Sequence, residues 1–250
     1  MKLKDYEYFR TDLGVLYCAD CLEIMSELEP VDLVWTSPPY NLGKPEKGSM
    51  FNNAEGDVLE YDEYSDDIPE REYINTQHAV FKLMYSLLKQ DGAIFYNHKP
   101  RILKGVFNDR KNLIPYPIRQ EIIWDKCSGF NFAGSFFVPS TERIFIICKD
   151  KWRPTKKYVK FGEVWRIPMV PGRDKRANHP APFPIALSKQ VVMSATNKKD
   201  VVLDPYFGSG TTAIACEKLN RRWVGIEISE KYCEIAKQRI INETRQLKLF

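Results

Sequence analysis

The sequence of 250 residues contains no long hydrophobic run. Its longest apolar stretches are short, such as Arg143–Cys148, whereas a transmembrane helix needs ~20 predominantly apolar residues. The first residues contain no apolar segment of the kind that secretory signals carry. These absences predict a protein without membrane segments and favour a cytoplasmic location.

Cysteine and histidine are also scarce, with six cysteines and three histidines scattered along the chain. Irregularly spaced cysteines do not form the disulfide framework of a small secreted protein, which agrees with a reducing compartment. Cys18 and Cys21 have C-x-x-C spacing, but no second pair completes a zinc site, and the histidines are not paired at metal-ligand spacing. The sequence therefore predicts no metal.

What is present is enough apolar material for a core, because 44% of the residues are hydrophobic. The net charge is only +4, but the segment Lys151–Arg176 holds nine basic and two acidic residues, with aromatic residues between them. Such a segment is typical of nucleic-acid contact, and the alternative is a solvated loop. The candidate contact residues are Lys151, Arg153, Lys156, Lys157, Lys160, Arg173, Lys175 and Arg176.

Short β-rich hydrophobic runs alternate with segments of helical spacing, which predicts an α/β fold with a mostly parallel sheet. The first long helix is expected to stop at Asp91 and Gly92. The predicted strands are Val15–Cys18, Asp32–Thr36, Ala93–Asn97, Glu121–Trp124, Ile144–Cys148, Val201–Asp204 and Trp223–Ile228. The predicted helices are Tyr73–Gln90, Phe183–Thr196, Thr211–Leu219 and Glu230–Leu247.

A glycine-rich turn follows the predicted strand at the start of Val201–Thr212. Gly208 and Gly210 would let a ligand approach the backbone, and the next strand ends at Glu227, close to the offset at which an acid binds a ribose. The pattern predicts an adenosine-type cofactor. The turn contains no lysine for a triphosphate, and Asp204 would repel a pyrophosphate but suit a cation, so S-adenosylmethionine is favoured and NAD is disfavoured without being excluded.

A second motif, Ser37-Pro-Pro-Tyr40, follows the predicted strand Asp32–Thr36. The two prolines remove two N–H donors and fix the turn, so that it presents oxygen acceptors beside an aromatic ring. The exocyclic amine of cytosine or adenine fits such a site, with Ser37 Oγ and the Pro38 carbonyl as acceptors and Tyr40 stacked on the base. The alternative is a surface turn, but a strand's carboxyl end is where open α/β sheets bind ligands.

Together the two motifs resemble the amino-group DNA methyltransferases that use S-adenosylmethionine. The catalytic turn comes first in the sequence and the cofactor turn comes last, as in the circularly permuted β group. The resemblance implies a Rossmann-like methyltransferase fold, with helices on both faces of a mostly parallel twisted sheet. It implies a catalytic set of Ser37, Pro38, Pro39 and Tyr40. It implies a cofactor set of Asp20, Cys21, Asn178, Pro180, Pro182, Phe183, Pro184, Asp204, Phe207, Gly208, Gly210, Thr211 and Glu227.

The resemblance also implies a substrate, a domain organisation and partners. The expected activity is site-specific methylation of a base flipped out of double-stranded DNA. Serine at position 37, where aspartate is commoner, favours N4 of cytosine and leaves N6 of adenine open. One domain is expected over 1–250, with a catalytic half (1–150), a short basic recognition segment (151–176) and a cofactor half (177–250). A homodimer and a partner restriction endonuclease are left open.

Several alternatives stand beside this interpretation. An RNA or protein-amide methyltransferase would share the proline turn, a nicotinamide oxidoreductase would share the glycine turn, and a DNA-binding subunit could lack activity. No cysteine follows a proline, which disfavours the covalent catalysis of C5-cytosine methylation. Trp124 and Trp165 are expected in the core or at an interface rather than as base readers. His98 follows a predicted strand and could border the pocket, but it is expected to be solvated or to anchor a loop. An aromatic stretch is expected to be a base-inserting loop or a packing surface: Phe130, Phe132, Phe136 and Phe137.

Overall fold

The computed structural model describes residues 2–41, 67–103, 105–129, 137–169 and 183–245. Nine strands of these ranges form one sheet in the order β1-β2-β11-β10-β3-β4-β8-β7-β9, and β5 and β6 form a separate hairpin. The strands are β1 (Glu7–Arg10), β2 (Gly14–Cys18), β3 (Val31–Thr36), β4 (Leu88–His98), β5 (Arg101–Leu103), β6 (Val106–Asn108), β7 (Gln120–Asp125), β8 (Thr141–Cys148), β9 (Val164–Arg166), β10 (Val201–Asp204) and β11 (Arg222–Glu227). The α-helices are α1 (Cys21–Ile24), α2 (Glu70–Leu87), α3 (Ile185–Ala195), α4 (Thr211–Leu219) and α5 (Glu230–Arg245).

The centre of the sheet is parallel, and its two sides are mixed. Strands β2, β11, β10, β3 and β4 run in one direction. Strand β8 is antiparallel to its neighbours β4 and β7, and β1 is antiparallel to β2. The predicted α/β class with a mostly parallel sheet is therefore confirmed.

The predicted end of the first long helix is wrong. Helix α2 ends at Leu87, and Asp91 and Gly92 lie inside strand β4. Strand β4 begins to pair with β3 at Leu88, and the register shifts before Ala93. This irregular pairing places a usual helix-ending dipeptide in the strand, because contacts with a distant strand outweigh the local preference.

Both faces of the sheet are covered, as the continuous hydrophobic strands require. On one face Trp35 and Phe207 pack with the residues of α3 and α4, and on the other Val34 packs with α1 and α2. Trp124 and Trp165 lie in the first of these cores, as expected. Within the described ranges, none of the helices has the length and apolar character to cross a bilayer.

The order of the strands creates a crevice between β3 and β10. From β10 the chain passes through α4 to β11 on one side, and from β3 it passes through α2 to β4 on the other side. Ligands of open α/β sheets bind at such a switch point, outside the carboxyl ends of the strands. We call the edge where β2, β3, β4, β10 and β11 end the carboxyl edge.

Candidate active site

The proline turn and the glycine turn meet at the carboxyl edge. Strand β3 pairs with β10, so that the residues after Thr36 and after Asp204 leave the sheet side by side. The Thr36 hydroxyl donates to Asp204 Oδ1 over 2.8 Å, and both side chains are buried. Two motifs separated by about two thirds of the sequence are thus joined directly.

The glycine turn is held by contacts from α5 and β11. Gly208 and Gly210 have φ angles of 52° and 77°, in the left-handed region that glycine tolerates best. The Gly208 amide donates to Glu227 Oε2 over 2.7 Å. Arg239, buried beside the turn, donates to the carbonyl and the hydroxyl of Ser209. Arg239 was not predicted from the sequence, although it shares an apolar helix face with Ala236 and Ile240.

The predicted adenosine-binding residues lie together beside this turn. Strand β11 pairs with β2 so that Glu227 is opposite Cys18, and the Ala19 amide donates to the Glu227 carbonyl over 2.9 Å. The Asp20 carboxylate caps α1 by accepting from the Leu22 amide over 2.8 Å. Burial raises the pKa values of Glu227 and the Cys21 thiol. The structure therefore gathers the loop after β2 and the acid at the end of β11 at one side of the crevice.

Asp204 joins three segments through its carboxylate. Oδ1 accepts from the Thr36 hydroxyl and from the Tyr206 amide, and Oδ2 accepts from the Thr212 hydroxyl over 2.6 Å. Burial raises the pKa of this carboxyl to about 6, against the opposing effect of the hydroxyl donors. Asp204 therefore acts first as a clamp between β3, β10 and α4.

An Asp204→Asn variant is expected to be more stable than the wild type at pH 7.5, by about 1 to 3 kcal/mol. The folded protein holds the Asp204 proton up to about pH 6, whereas the unfolded chain loses it near the ordinary value of 3.8. The wild type therefore loses stability as the pH rises through this window, and the loss persists above it. The asparagine cannot ionise, so the variant lacks this loss.

Urea unfolding between pH 4 and pH 8 measures the effect as the difference in the free energy of unfolding between variant and wild type. The exposed Asp12 provides a matched Asp12→Asn control, for which the free energy of unfolding is expected to change by no more than about 0.5 kcal/mol. A difference for Asp204→Asn that does not change with pH would contradict the raised pKa of Asp204.

The proline turn is anchored from behind by Tyr73 and His98. The Tyr73 hydroxyl donates to the Pro39 carbonyl over 2.6 Å and lies 3.0 Å from His98 Nε2. The ring of Tyr40 packs against the ring of His98, with centroids 4.6 Å apart. Burial lowers the pKa of His98 to about 3, so the ring is neutral. The anchoring role expected for His98 is confirmed and its solvation is wrong, and its ring lies against the proline turn, as the alternative interpretation allowed.

A buried polar cluster holds the Tyr40 hydroxyl. The Tyr40 hydroxyl accepts from Ser37 Oγ at 2.9 Å and from Asn97 Nδ2 at 2.6 Å, and it donates to Glu142 Oε2 at 3.0 Å. Lys126 Nζ lies 3.1 Å from Glu142 Oε1. Asn97, Glu142 and Lys126 were not predicted as site residues from the sequence. A signal existed in Glu142, which is a charged residue at the start of a strongly apolar strand.

The remaining predicted residues are only partly described. Phe183 packs on Trp35 with ring centroids 5.1 Å apart, and Pro184 directly precedes α3. Phe137, at the end of the aromatic stretch, is 97% exposed. Asn178, Pro180, Pro182, Arg173, Lys175, Arg176, Phe130, Phe132 and Phe136 lie outside the described residues.

The first part of the basic segment lies away from the carboxyl edge. Strand β8 is antiparallel to β4, with Arg143 opposite His98 and Cys148 opposite Ala93. The chain after Cys148 therefore starts at the other edge of the sheet, roughly 23 Å along the strand. The structure does not bring these five candidate residues to the proline turn: Lys151, Arg153, Lys156, Lys157 and Lys160. Because β9 runs parallel to β7, Arg166 is back at the carboxyl edge.

The described part of the chain contains no group of three His, Cys, Asp or Glu side chains placed to hold a metal ion.

Comparison with known proteins agrees with this architecture. A DNA methylase family model matches residues 31–238. The type II methyltransferase M2.MboI of Moraxella bovis is 28% identical over 99% of this chain and 95% of its own. The type II methyltransferase M.BglII of Bacillus subtilis is 30% identical over 92% of this chain and 70% of its own.

Solved structures share the fold. The PvuII DNA methyltransferase (cytosine-N4-specific) superposes with a TM-score of 0.73 at 19% identity, over 96% of this chain and 94% of that one. The complex of M1.HpyAVI with SAM gives a TM-score of 0.60 at 24% identity, over 91% of this chain and 100% of that one. With most of its length matched by the family model, the chain belongs to the DNA methylase family and is an amino-group DNA methyltransferase.

Proposed function

We propose that this enzyme transfers the methyl group of S-adenosylmethionine to the exocyclic amine of a base flipped out of double-stranded DNA, with N4 of cytosine as the target. The observation that carries the proposal is the Thr36–Asp204 hydrogen bond at the switch point, because it holds the proline turn beside the glycine turn. Strands from both halves of the chain alternate in the sheet, which supports one methyltransferase domain over 1–250.

The residues of the crevice fit a cofactor that carries adenosine and a positive charge but no phosphate. Glu227 and Asp20 place carboxylates at one side, and the sequence of the turn Gly208–Thr211 contains no lysine or arginine. We assign Glu227 to the ribose hydroxyls, the Asp20–Cys21 loop to the adenine, and Phe183 with Pro184 to the methionine end. When bound, S-adenosylmethionine supplies a methyl group on an electrophilic sulfonium.

The proline turn offers two acceptors for an amine. Within the described residues, no group donates to the Pro38 carbonyl, whereas the Pro39 carbonyl is occupied by Tyr73. Ser37 Oγ and the Pro38 carbonyl can therefore accept the two N–H groups, which leaves the nitrogen lone pair for the methyl group. We assign the ring of Tyr40 to stacking on the flipped base, and this stacking helps to offset the few kcal/mol that flipping costs.

The duplex is proposed to lie across the carboxyl edge, where the flipped base would enter. The basic segment reaches this edge at Arg166. We therefore assign the phosphate contacts to the residues that follow β9, including Arg173, Lys175 and Arg176. A restriction endonuclease with the same site is the proposed functional partner, because M2.MboI and M.BglII are named type II methyltransferases.

The target base is tested by identifying the product. The purified enzyme is incubated with S-adenosylmethionine and DNA of mixed sequence, and the DNA is digested to nucleosides and analysed by mass spectrometry. We expect N4-methylcytosine, because serine stands at position 37. N6-methyladenine in its place would overturn the choice of base. Methylation of RNA or of a protein amide, with none of DNA, would overturn the substrate class.

A further inference from the structure

The buried cluster behind the proline turn contains a directed chain of hydrogen bonds from Ser37 through Tyr40 to Glu142. The two links measure 2.9 Å and 3.0 Å between oxygen atoms. Asn97 donates to Tyr40 Oη and, over 2.8 Å, to Glu142 Oε2. The three elements that meet here are the end of β3, the end of β4 and the start of β8, all at the carboxyl edge.

The Glu142 carboxylate, at the end of this chain of hydrogen bonds, determines which way each proton points. An ionised carboxylate only accepts hydrogen bonds, so Tyr40 must donate its single proton to Glu142. Tyr40 Oη can then only accept, which requires Ser37 to donate its own proton to Tyr40. Ser37 Oγ is left with lone pairs alone. A serine hydroxyl that could rotate freely would also present its proton to the amine, where a donor is unfavourable.

The surroundings of Glu142 suit this role. The residue is 8% exposed, and Lys126, which is 9% exposed, balances its charge from the other carboxylate oxygen. A buried carboxylate is stable only where it is paired and hydrogen-bonded, and Glu142 has both kinds of partner. The cluster is therefore a buried network of paired side chains rather than a solvated surface.

We propose that Glu142 is a positioning residue for methyl transfer, which acts through the Tyr40 hydroxyl to make Ser37 Oγ a pure hydrogen-bond acceptor for the target amine. This inference rests on the proposed function of the proline turn and adds to it a residue from a distant strand. Lys126 and Asn97 support Glu142 by pairing with its two oxygens.

A double-mutant cycle between Glu142→Gln and Tyr40→Phe tests the proposal. In the wild-type background, Glu142→Gln is expected to lower kcat at least tenfold, with the KM values for DNA and S-adenosylmethionine unchanged within twofold. In the Tyr40→Phe background the same substitution is expected to change kcat less than twofold, because the connecting hydroxyl is gone. Equal factors in both backgrounds, or wild-type kcat for Glu142→Gln, would overturn the proposal.

Two further variants make every outcome decisive. Glu121→Gln, on strand β7 and paired with Arg143, serves as the matched control and is expected to keep wild-type kcat. Ser37→Ala separates this inference from the proposed function: an inactive Ser37→Ala beside an active Glu142→Gln removes only the role of Glu142, whereas an active Ser37→Ala removes the catalytic turn itself. If Glu142→Gln does not fold, the Tyr40→Phe variant tests the proposal instead. A wild-type kcat in Tyr40→Phe would show that the hydrogen-bond chain through Tyr40 does not contribute to catalysis.

Discussion

Replacing Ser37 with alanine is expected to lower kcat by about 10²-fold or more while leaving the affinity for S-adenosylmethionine unchanged. The substitution removes one of the two acceptors proposed for the target amine and keeps the backbone of the turn, whose Pro39 carbonyl is held by Tyr73. Most cofactor residues lie at or after the ends of other strands, β2, β10 and β11, while Phe183 and Pro184 precede α3, so their geometry is not expected to change. The loss should therefore fall on the chemical step.

Single-turnover methylation and equilibrium binding of S-adenosylmethionine measure the two quantities separately. Ser86→Ala is the matched control, because Ser86 is exposed near the end of α2, where its hydroxyl donates to the Leu83 carbonyl. This control should keep wild-type turnover. Undiminished turnover in Ser37→Ala would remove Ser37 from the mechanism, and weakened cofactor binding would show that the proline turn also shapes the cofactor site.

The parts of the site that the sequence predicts are those encoded by consecutive residues at the end of a hydrophobic strand. The proline turn and the glycine turn each combine a strand with residues of special backbone geometry, so a short window contains the whole signal. Their meeting in space also follows from the parallel sheet, since carboxyl ends share one edge. The Thr36–Asp204 bond is the result.

The parts that were missed depend on residues brought together from distant segments. Tyr40 and Glu142 are separated by 102 positions, and Arg239 reaches Ser209 across 30 positions. Neither contact leaves a local pattern, because a hydrogen bond between side chains requires only that two elements be adjacent in the fold. A charged residue in an apolar strand and an arginine on an apolar helix face indicate a buried partner without identifying it.

The basic segment shows a different limit. Its composition predicts contact with nucleic acid, but composition does not say at which edge of the sheet the residues lie. The antiparallel direction of β8 sends Lys151 and its neighbours to the edge opposite the proline turn, and β9 then returns the chain to the carboxyl edge at Arg166. Strand direction therefore divides a segment that looks uniform in sequence.

Gly225→Ala is expected to destabilise the protein by about 1 to 3 kcal/mol and to weaken cofactor binding at least tenfold. Gly225 lies on β11 opposite Asp204, under the ring of Phe207 from the glycine turn. A Cβ atom at this position would lie 2.3 Å from Phe207 Cδ2, far inside van der Waals contact.

The ring cannot move away without moving the turn. Phe207 is 4% exposed, its amide donates to the Ile226 carbonyl over 3.0 Å, and its ring stacks on Trp223 with centroids 5.5 Å apart. Relief of the clash must therefore displace the backbone from Phe207 to Gly210, which is the part proposed to contact the cofactor. Stability and cofactor affinity are expected to fall together.

Gly162 supplies the control, because it is exposed and, apart from its own residue and its chain neighbours, no heavy atom of the described residues would lie within 4 Å of a Cβ atom there. Gly162→Ala is expected to change the free energy of unfolding by no more than about 0.5 kcal/mol and to leave cofactor affinity unchanged. Chemical denaturation and calorimetric titration with S-adenosylmethionine measure both effects. If Gly225→Ala were destabilised but bound the cofactor normally, Phe207 would be a core residue whose position does not control the turn, and its assignment to the cofactor site would be lost.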